Sequence, residues 1–367
     1  MKKWKLLLSI EAVLILSTIP MASSQIEVGM NYPWGFTEKG QSLAYSWLSV
    51  NYDREKITKD FEEMSSWGVR YVKVSTWSLS ERNGEFLNVV WDDKFGYISY
   101  REEFLLNLRE FVKIADFYDM RVIISPLNAK EKNFWDSIYH PLKRESLLNM
   151  YFDLAYYLKD LPNVYSLMLL WEYNAPIKNP SRDMETEFEF FKDAYKTIKS
   201  ADPDRLVTLG CGGTFSQFRE FASEVVDYYS LNFYNDWGLP MEIDTYVETG
   251  EIVLIDAREL DKPAVIGEAG AQGVWSGDVH FDQDEYQSAA IERFFENAKL
   301  YGYDVVFVFS YHVIKKYSQV QTIEAVKRQG NLKTSKEMKE EYEEEVSIDF
   351  PFLLFGIFLF YPFTQKF

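Results

Sequence analysis

Short apolar runs and amphipathic stretches alternate along this chain from residue 27 to residue 345. Residues 27–31 read as a strand that ends in the loop Tyr32-Pro33-Trp34-Gly35. Asp53 is placed to cap a helix running to Trp67, with Gly68 as its stop. Residues 70–74 form the next strand, followed by an aromatic loop around Trp77. Over residues 100–118, Phe104, Leu105, Leu108, Phe111, Val112 and Ala115 recur at helical spacing. Further strands are expected over 121–125, 164–170, 205–210, 227–232 and 304–309. Helices are expected over 141–159, 185–200, 217–226, 245–260, 284–300 and 335–345. The seventh strand lies in K-P-A-V-I-G-E-A-G, residues 262–270. Pro263 cannot donate a ladder hydrogen bond and belongs at the strand entrance. Ala264, Val265 and Ile266 are unbroken and apolar, as in a strand buried on both faces. Gly267 and Gly270 let the backbone turn around Glu268.

Strand followed by helix, about eight times over roughly 320 residues, predicts a single (β/α)8 TIM barrel in the α/β class. A doubly wound sheet usually carries a Gly-rich phosphate loop after its first strand. Here that position reads N-Y-P-W-G-F. The cluster Gly210-Cys211-Gly212-Gly213 lacks the lysine and spacing of a P-loop. No linker or repeat interrupts residues 25–345, so the barrel is expected to span them.

The two ends read differently. Lys2, Lys3 and Lys5 precede an apolar run over residues 6–21, and Ala22-Ser23-Ser24 offers small residues for cleavage. Residues 1–24 therefore read as a secretory signal peptide, with Glu11 inside the run leaving an uncleaved anchor as the alternative. Residues 350–363 are almost wholly apolar but shorter than the roughly 20 residues that comfortably span a bilayer. The segment 346–367 reads as a membrane anchor, against an apolar tail packed on the domain or lying in the membrane interface. A secreted protein, held at the cell membrane and acting as a monomer, is the expectation.

Charge narrows the partners. Asp and Glu outnumber Lys and Arg by 57 to 39, a net charge of -18, which repels nucleic acid and anionic membrane surfaces. One cysteine, Cys211, excludes an intrachain disulfide. The three histidines are scattered and no H-E-x-x-H or C-x-x-C pattern occurs, so no metal and no cofactor is expected.

In a barrel, residues just past each strand converge at one mouth. Here they include Asn31 and Trp34; Lys73 and Trp77; Asn128; Trp171, Glu172 and Asn174; Asn232, Tyr234 and Trp237; Glu268 and Trp275; and Tyr311. Two acids, Glu172 and Glu268, emerge from the fourth and seventh strands. Facing carboxylates in an aromatic-lined mouth suit glycoside hydrolysis, where one protonates the leaving oxygen and the other attacks the sugar carbon. The tryptophans and Tyr311 could stack on sugar faces, while the asparagines could bind hydroxyls of an oligosaccharide or polysaccharide.

K-P-A-V-I-G-E-A-G, G-M-N-Y-P at 29–33, A-D-P-D-R-L-V-T-L-G at 201–210 and Y-S-L-N-F-Y at 229–234 resemble the clan of retaining (β/α)8 glycoside hydrolases. The nearest members are family 5, the cellulases and endo-β-mannanases. The resemblance implies that Glu268 is the nucleophile and that Tyr234 hydrogen-bonds it. Such enzymes end strand four with Asn-Glu, the Glu being the acid/base. In N-V-Y-S-L-M-L-L-W-E-Y-N-A-P, an ungapped count puts that pair on Trp171-Glu172. Alignment on the trailing proline puts it on Asn174-Ala175 and removes the acid. The ungapped count is preferred; the other makes the protein a carbohydrate-binding barrel without catalysis. Three further positions depart from the family: Lys73 stands for an arginine, Asn232 for a histidine and Tyr311 for a tryptophan. A third reading, a structural protein of the cell envelope, requires loops such as 314–330 to plug the mouth.

Overall fold

The computed structural model describes residues 26–32, 48–49, 51–173, 183–211, 219, 222–235, 257–271, 284–316 and 318–330. Among these, the parallel strands β1 (Glu27–Tyr32), β2 (Val69–Ser75), β7 (Arg121–Ser125), β8 (Val164–Met168), β9 (Leu206–Thr208), β10 (Gly210–Cys211), β11 (Tyr229–Asn235), β12 (Ala264–Ala271) and β13 (Val305–Val308) form one sheet. Its order is β10-β11-β12-β13-β1-β2-β7-β8-β9. β9 pairs with β8 and β10 with β11, and only Leu209 separates the two. They are halves of one barrel strand, so the sheet closes on itself as a (β/α)8 barrel.

The strand sequences show why both faces are covered. In β13 (V-V-F-V), Val305 and Phe307 point into the barrel with Tyr71, Ile123, Met168, Trp171, Tyr228 and Val265. Val306 and Val308 point outward into the larger core beneath the helices. Gly29 permits this interior packing. A Cβ there would lie 2.4 Å from the Phe307 ring, a contact no real side chain makes.

The described helices are α1 (Arg54–Ser66), α2 (Glu102–Phe117), α3 (Lys132–Ile138), α4 (Pro141–Leu158), α5 (Met184–Ala201), α6 (Asp284–Tyr301), α7 (Tyr311–Lys316) and α8 (Val320–Gly330). The Asp53 carboxylate accepts the Lys56 N–H at 3.0 Å, capping α1 as its sequence position implies. Pro141 opens α4, where its missing N–H costs nothing. All these elements lie in one compact unit, Ile26–Gln329, apart from the last residue of α8.

Several differences from the sequence-based expectation stand out. The aromatic loop after the second strand is two antiparallel hairpins, β3–β4 (Glu81–Arg82, Glu85–Phe86) and β5–β6 (Val89–Asp92, Gly96–Tyr100). Tyr100 therefore ends a strand, and the following helix starts at Glu102. The short helix α3 was not expected. Residues 314–330 are mostly helix, in α7 and α8, and not a plugging loop. Of the helix expected over 217–226, residues 222–225 are helical; of that over 245–260, the described part is a 3-10 turn at Ala257–Glu259. The helix expected over 335–345, the segment 1–24 read as a signal peptide and the tail 346–367 lie outside the described residues. Among the described residues, no helix is long and apolar enough to cross a membrane.

Candidate active site

The mouth is built outward from β12. Leu231 pairs with Ile266 and Asn232 with Glu268, so Gly267 is bulged out of register. A bulge re-aims the following side chain. A Cβ here would stand 2.2 Å from Ser230 Oγ and 2.9 Å from Asn232 Oδ1, so both side chains would have to shift for any larger residue. Glu268 follows, wholly buried.

On β2, Tyr71 points into the barrel and Val72 and Val74 point outward, which leaves Lys73 facing inward. Lys73 Nζ donates to the Gly267 carbonyl at 2.7 Å and to Glu268 Oε1 at 3.2 Å. The same ammonium stands 4.0 Å from the centroid of the Trp171 ring. Both members of the pair are sealed from solvent, at 1% and 0% side-chain exposure. Burial pulls the lysine's pKa below its ordinary value, and the Glu268 carboxylate opposes that fall.

Glu172 sits just past β8 with φ at +60°, a left-handed conformation rare for a residue with a side chain. Its neighbours hold it there. Trp171 bridges to Asn128 and Tyr173 to Cys211, each in parallel register. Burial pushes the Glu172 carboxyl up to about 7, and the nearby Glu268 charge adds to the rise. Lys130 and Lys73 pull the other way.

Two asparagines flank the pair. Asn31 Nδ2 lies 3.3 Å from the carbonyls of both Gly267 and Val308, while its buried Oδ1 has no partner. Asn232 is in register with Glu268, and neither polar atom of its amide has a partner. The backbone of Tyr234 pairs with Gly270 on β12.

Other candidates go elsewhere. Tyr311 opens α7 and turns toward α1, where its hydroxyl lies 2.9 Å from Asp60 Oδ1 and 2.8 Å from Glu63 Oε2. Its ring stacks on Tyr32, so it is packing between strand and helix and not a sugar platform. Trp77 is a buried loop residue, its carbonyl held by Asn88 Nδ2 at 3.1 Å. Trp171 packs in the barrel interior beneath Lys73, so neither tryptophan offers an open ring face. Asn128 stabilises its own turn, accepting the Lys130 N–H at 2.9 Å. Trp34, Asn174, Trp237 and Trp275 lie outside the described residues.

Two buried acids carry no motif in the sequence. Glu131 accepts the Leu79 N–H at 2.8 Å and the Asn128 N–H at 2.6 Å, joining the loops after β2 and β7. Burial pushes its carboxyl up to about 8 against those two donors. Glu187, in the first turn of α5, is wholly buried against two tyrosine hydroxyls.

The acid after this bulge, its lysine partner and a second acid just past the fourth barrel strand occupy a (β/α)8 barrel with the fold of the family 5 glycoside hydrolases. The β-mannanase of the blue mussel Mytilus edulis is similar at 14% identity, over 82% of this chain and 91% of that one, with a TM-score of 0.58. The β-1,4-D-mannanase of Cryptopygus antarcticus shares 14% identity over 85% and 92% of the two chains, with a TM-score of 0.60. A broad-specificity endoglucanase from an uncultured bacterium shares 11% over 84% and 95%, with a TM-score of 0.59. No protein-family profile and no curated sequence matches the chain.

Proposed function

We propose that the protein is a retaining glycoside hydrolase acting on β-linked mannan- or glucan-type chains by double displacement. Glu268 would attack the anomeric carbon as Glu172 gives its proton to the departing glycosidic oxygen. The glycosyl ester so formed would then be opened by water, with Glu172 taking the water's proton back. Tyr234 would orient Glu268, and Asn31 and Asn232 would receive substrate hydroxyls. The observation that carries the reading is the different surroundings of the two acids. Glu268 is held against a buried lysine, while Glu172 is pushed to about 7, where a carboxylic acid can donate a proton near neutrality. The similar mannanases and endoglucanases set the substrate class to be tried first. Secretion, with the tail holding the enzyme at the membrane, completes the proposal.

The test is a hydrolysis screen on β-mannan, β-glucan and their oligosaccharides, with Glu172→Ala and Glu268→Ala as controls. The expected result is turnover with retention at the anomeric centre, lost in both variants. Binding of the same oligosaccharides with no turnover by the parent would replace this reading with that of a carbohydrate-binding barrel.

A further inference from the structure

We propose that Glu187, acting through Tyr173, is a positioning residue that aims Glu172 into the mouth; this rests on Glu172 being the acid/base. The problem it solves is local. Glu172 adopts φ +60° with a full side chain, so the backbone must be fixed on both sides for its carboxyl to have one direction. On the near side the Trp171 N–H donates to Leu127 O, and Trp171 O accepts the Ala129 N–H, both at 3.0 Å. On the far side the Tyr173 N–H donates to Gly210 O at 2.7 Å. On the same side, Tyr173 also bridges to Cys211, and its side chain supplies a further anchor.

That side chain runs under α5. Its ring meets Phe191 edge-on at 5.5 Å, and its hydroxyl donates to Glu187 Oε2 at 3.0 Å. Glu187 Oε1 accepts from the Tyr139 hydroxyl at 2.6 Å. Tyr139 in turn accepts the Asp183 N–H at 3.0 Å, and Asp183 caps α5. A buried carboxylate is a costly way to fill space, since an apolar residue would pack there without losing hydration. What the carboxylate adds is direction. It takes two hydroxyl donors at fixed angles in the first turn of a helix, where the helix dipole favours negative charge. The phenol of Tyr173 is thereby locked, and with it the turn that carries Glu172.

The deciding measurement is the titration of the Glu172 carboxyl by carbon-13 NMR, its resonance assigned by loss in Glu172→Gln. It is followed in the parent, Tyr173→Phe, Glu187→Gln and Glu187→Leu. Tyr173→Phe keeps the ring and removes the hydroxyl; Glu187→Gln keeps an acceptor oxygen. A released turn lets Glu172 move away from Glu268 and toward solvent, so its midpoint should fall by about half a unit or more in Tyr173→Phe and Glu187→Leu. Glu187→Gln should stay near the parent. On a hydrolysed glycan, kcat should fall about 10- to 100-fold in the first two with KM unchanged, as for a misplaced catalytic group. A Glu172 midpoint that is the same in folded Tyr173→Phe as in the parent overturns the proposal, whatever becomes of Glu187→Leu. Because the titration needs no turnover, an inactive parent would count against the hydrolase reading alone.

Discussion

Lys73 and Glu172 are the two residues whose chemistry is set most by their surroundings. Lys73 makes a buried pair with Glu268, and removing one partner of such a pair leaves the other charge uncompensated. Lys73→Met should therefore lower the unfolding free energy by about 3–5 kcal/mol in denaturant titration, although methionine fills the space. A cost below 1 kcal/mol would mean that water or another group already serves Glu268. For Glu172 the sign of the pH effect follows from its neighbours. In the proposed mechanism its neutral form is the proton donor, so kcat/KM should decline on the alkaline side with a midpoint near 7. Lys130 favours the ionised form, so Lys130→Met should move that limb to higher pH. A limb that stays put would show that another group controls it. The two acids stand out in the sequence because each follows a short apolar run; in the structure Glu172 lies past β8 and Glu268 within β12. Glu131 and Glu187 do not, because an acid just before a helix or in its first turn reads as solvated until the elements above it are known. Tyr311 failed for a similar reason: position after a strand does not fix which way a ring turns once a helix begins there.

The β/α alternation was legible at the scale of elements because each strand is a short apolar run and each helix has its own stripe. Strand 121–125 was placed to the residue, and several helices to within a residue or two. The hairpins over 81–100 escaped because strands of two to five residues are too short for a period to show. Their anchors are tertiary: the Tyr97 N–H donates to Ser146 Oγ at 2.9 Å, and the Tyr97 hydroxyl to Asp153 at 2.8 Å, both on α4. Two glycines separate local from tertiary cost there. Gly84 and Gly96 have φ of +82° and +86°, so alanine is strained at either. At Gly84 nothing lies within 4 Å of a new Cβ, whereas at Gly96 it would meet Ser146 Oγ at 2.4 Å and Lys143 Cα at 3.2 Å. Gly84→Ala should cost about 1 kcal/mol. Gly96→Ala should cost about 1–3 kcal/mol more in the same thermal unfolding assay, because it also overpacks the contact with α4. Equal losses would show that the hairpin can lift from α4 without penalty.

At the scale of the whole molecule, a net charge of -18 surrounds a mouth that itself contains two acids, and this bears on the substrate. Like charge repels a polyanion before it arrives, and the repulsion is screened over about 10 Å at 0.1 M salt. A neutral β-glycan feels no such field. Its recognition would rest on hydrogen bonds from groups such as Asn31 and Asn232, which are short-range and little affected by ions. Binding of mannan- or glucan-type oligosaccharides should therefore change less than about twofold between roughly 20 and 300 mM salt, where charge screening is the main variable. A carboxylated polysaccharide of matched length should bind weakly and improve as salt rises, the sign expected when repulsion is relieved. Isothermal titration of both ligands across that salt range distinguishes the cases. The opposite slope, tight binding of the carboxylated chain that weakens with salt, would require a cationic groove able to outweigh the molecule's own charge. In that event the buried Lys73 could not supply the groove, since its ammonium is already committed to Glu268, and the assignment of a neutral substrate would have to be abandoned.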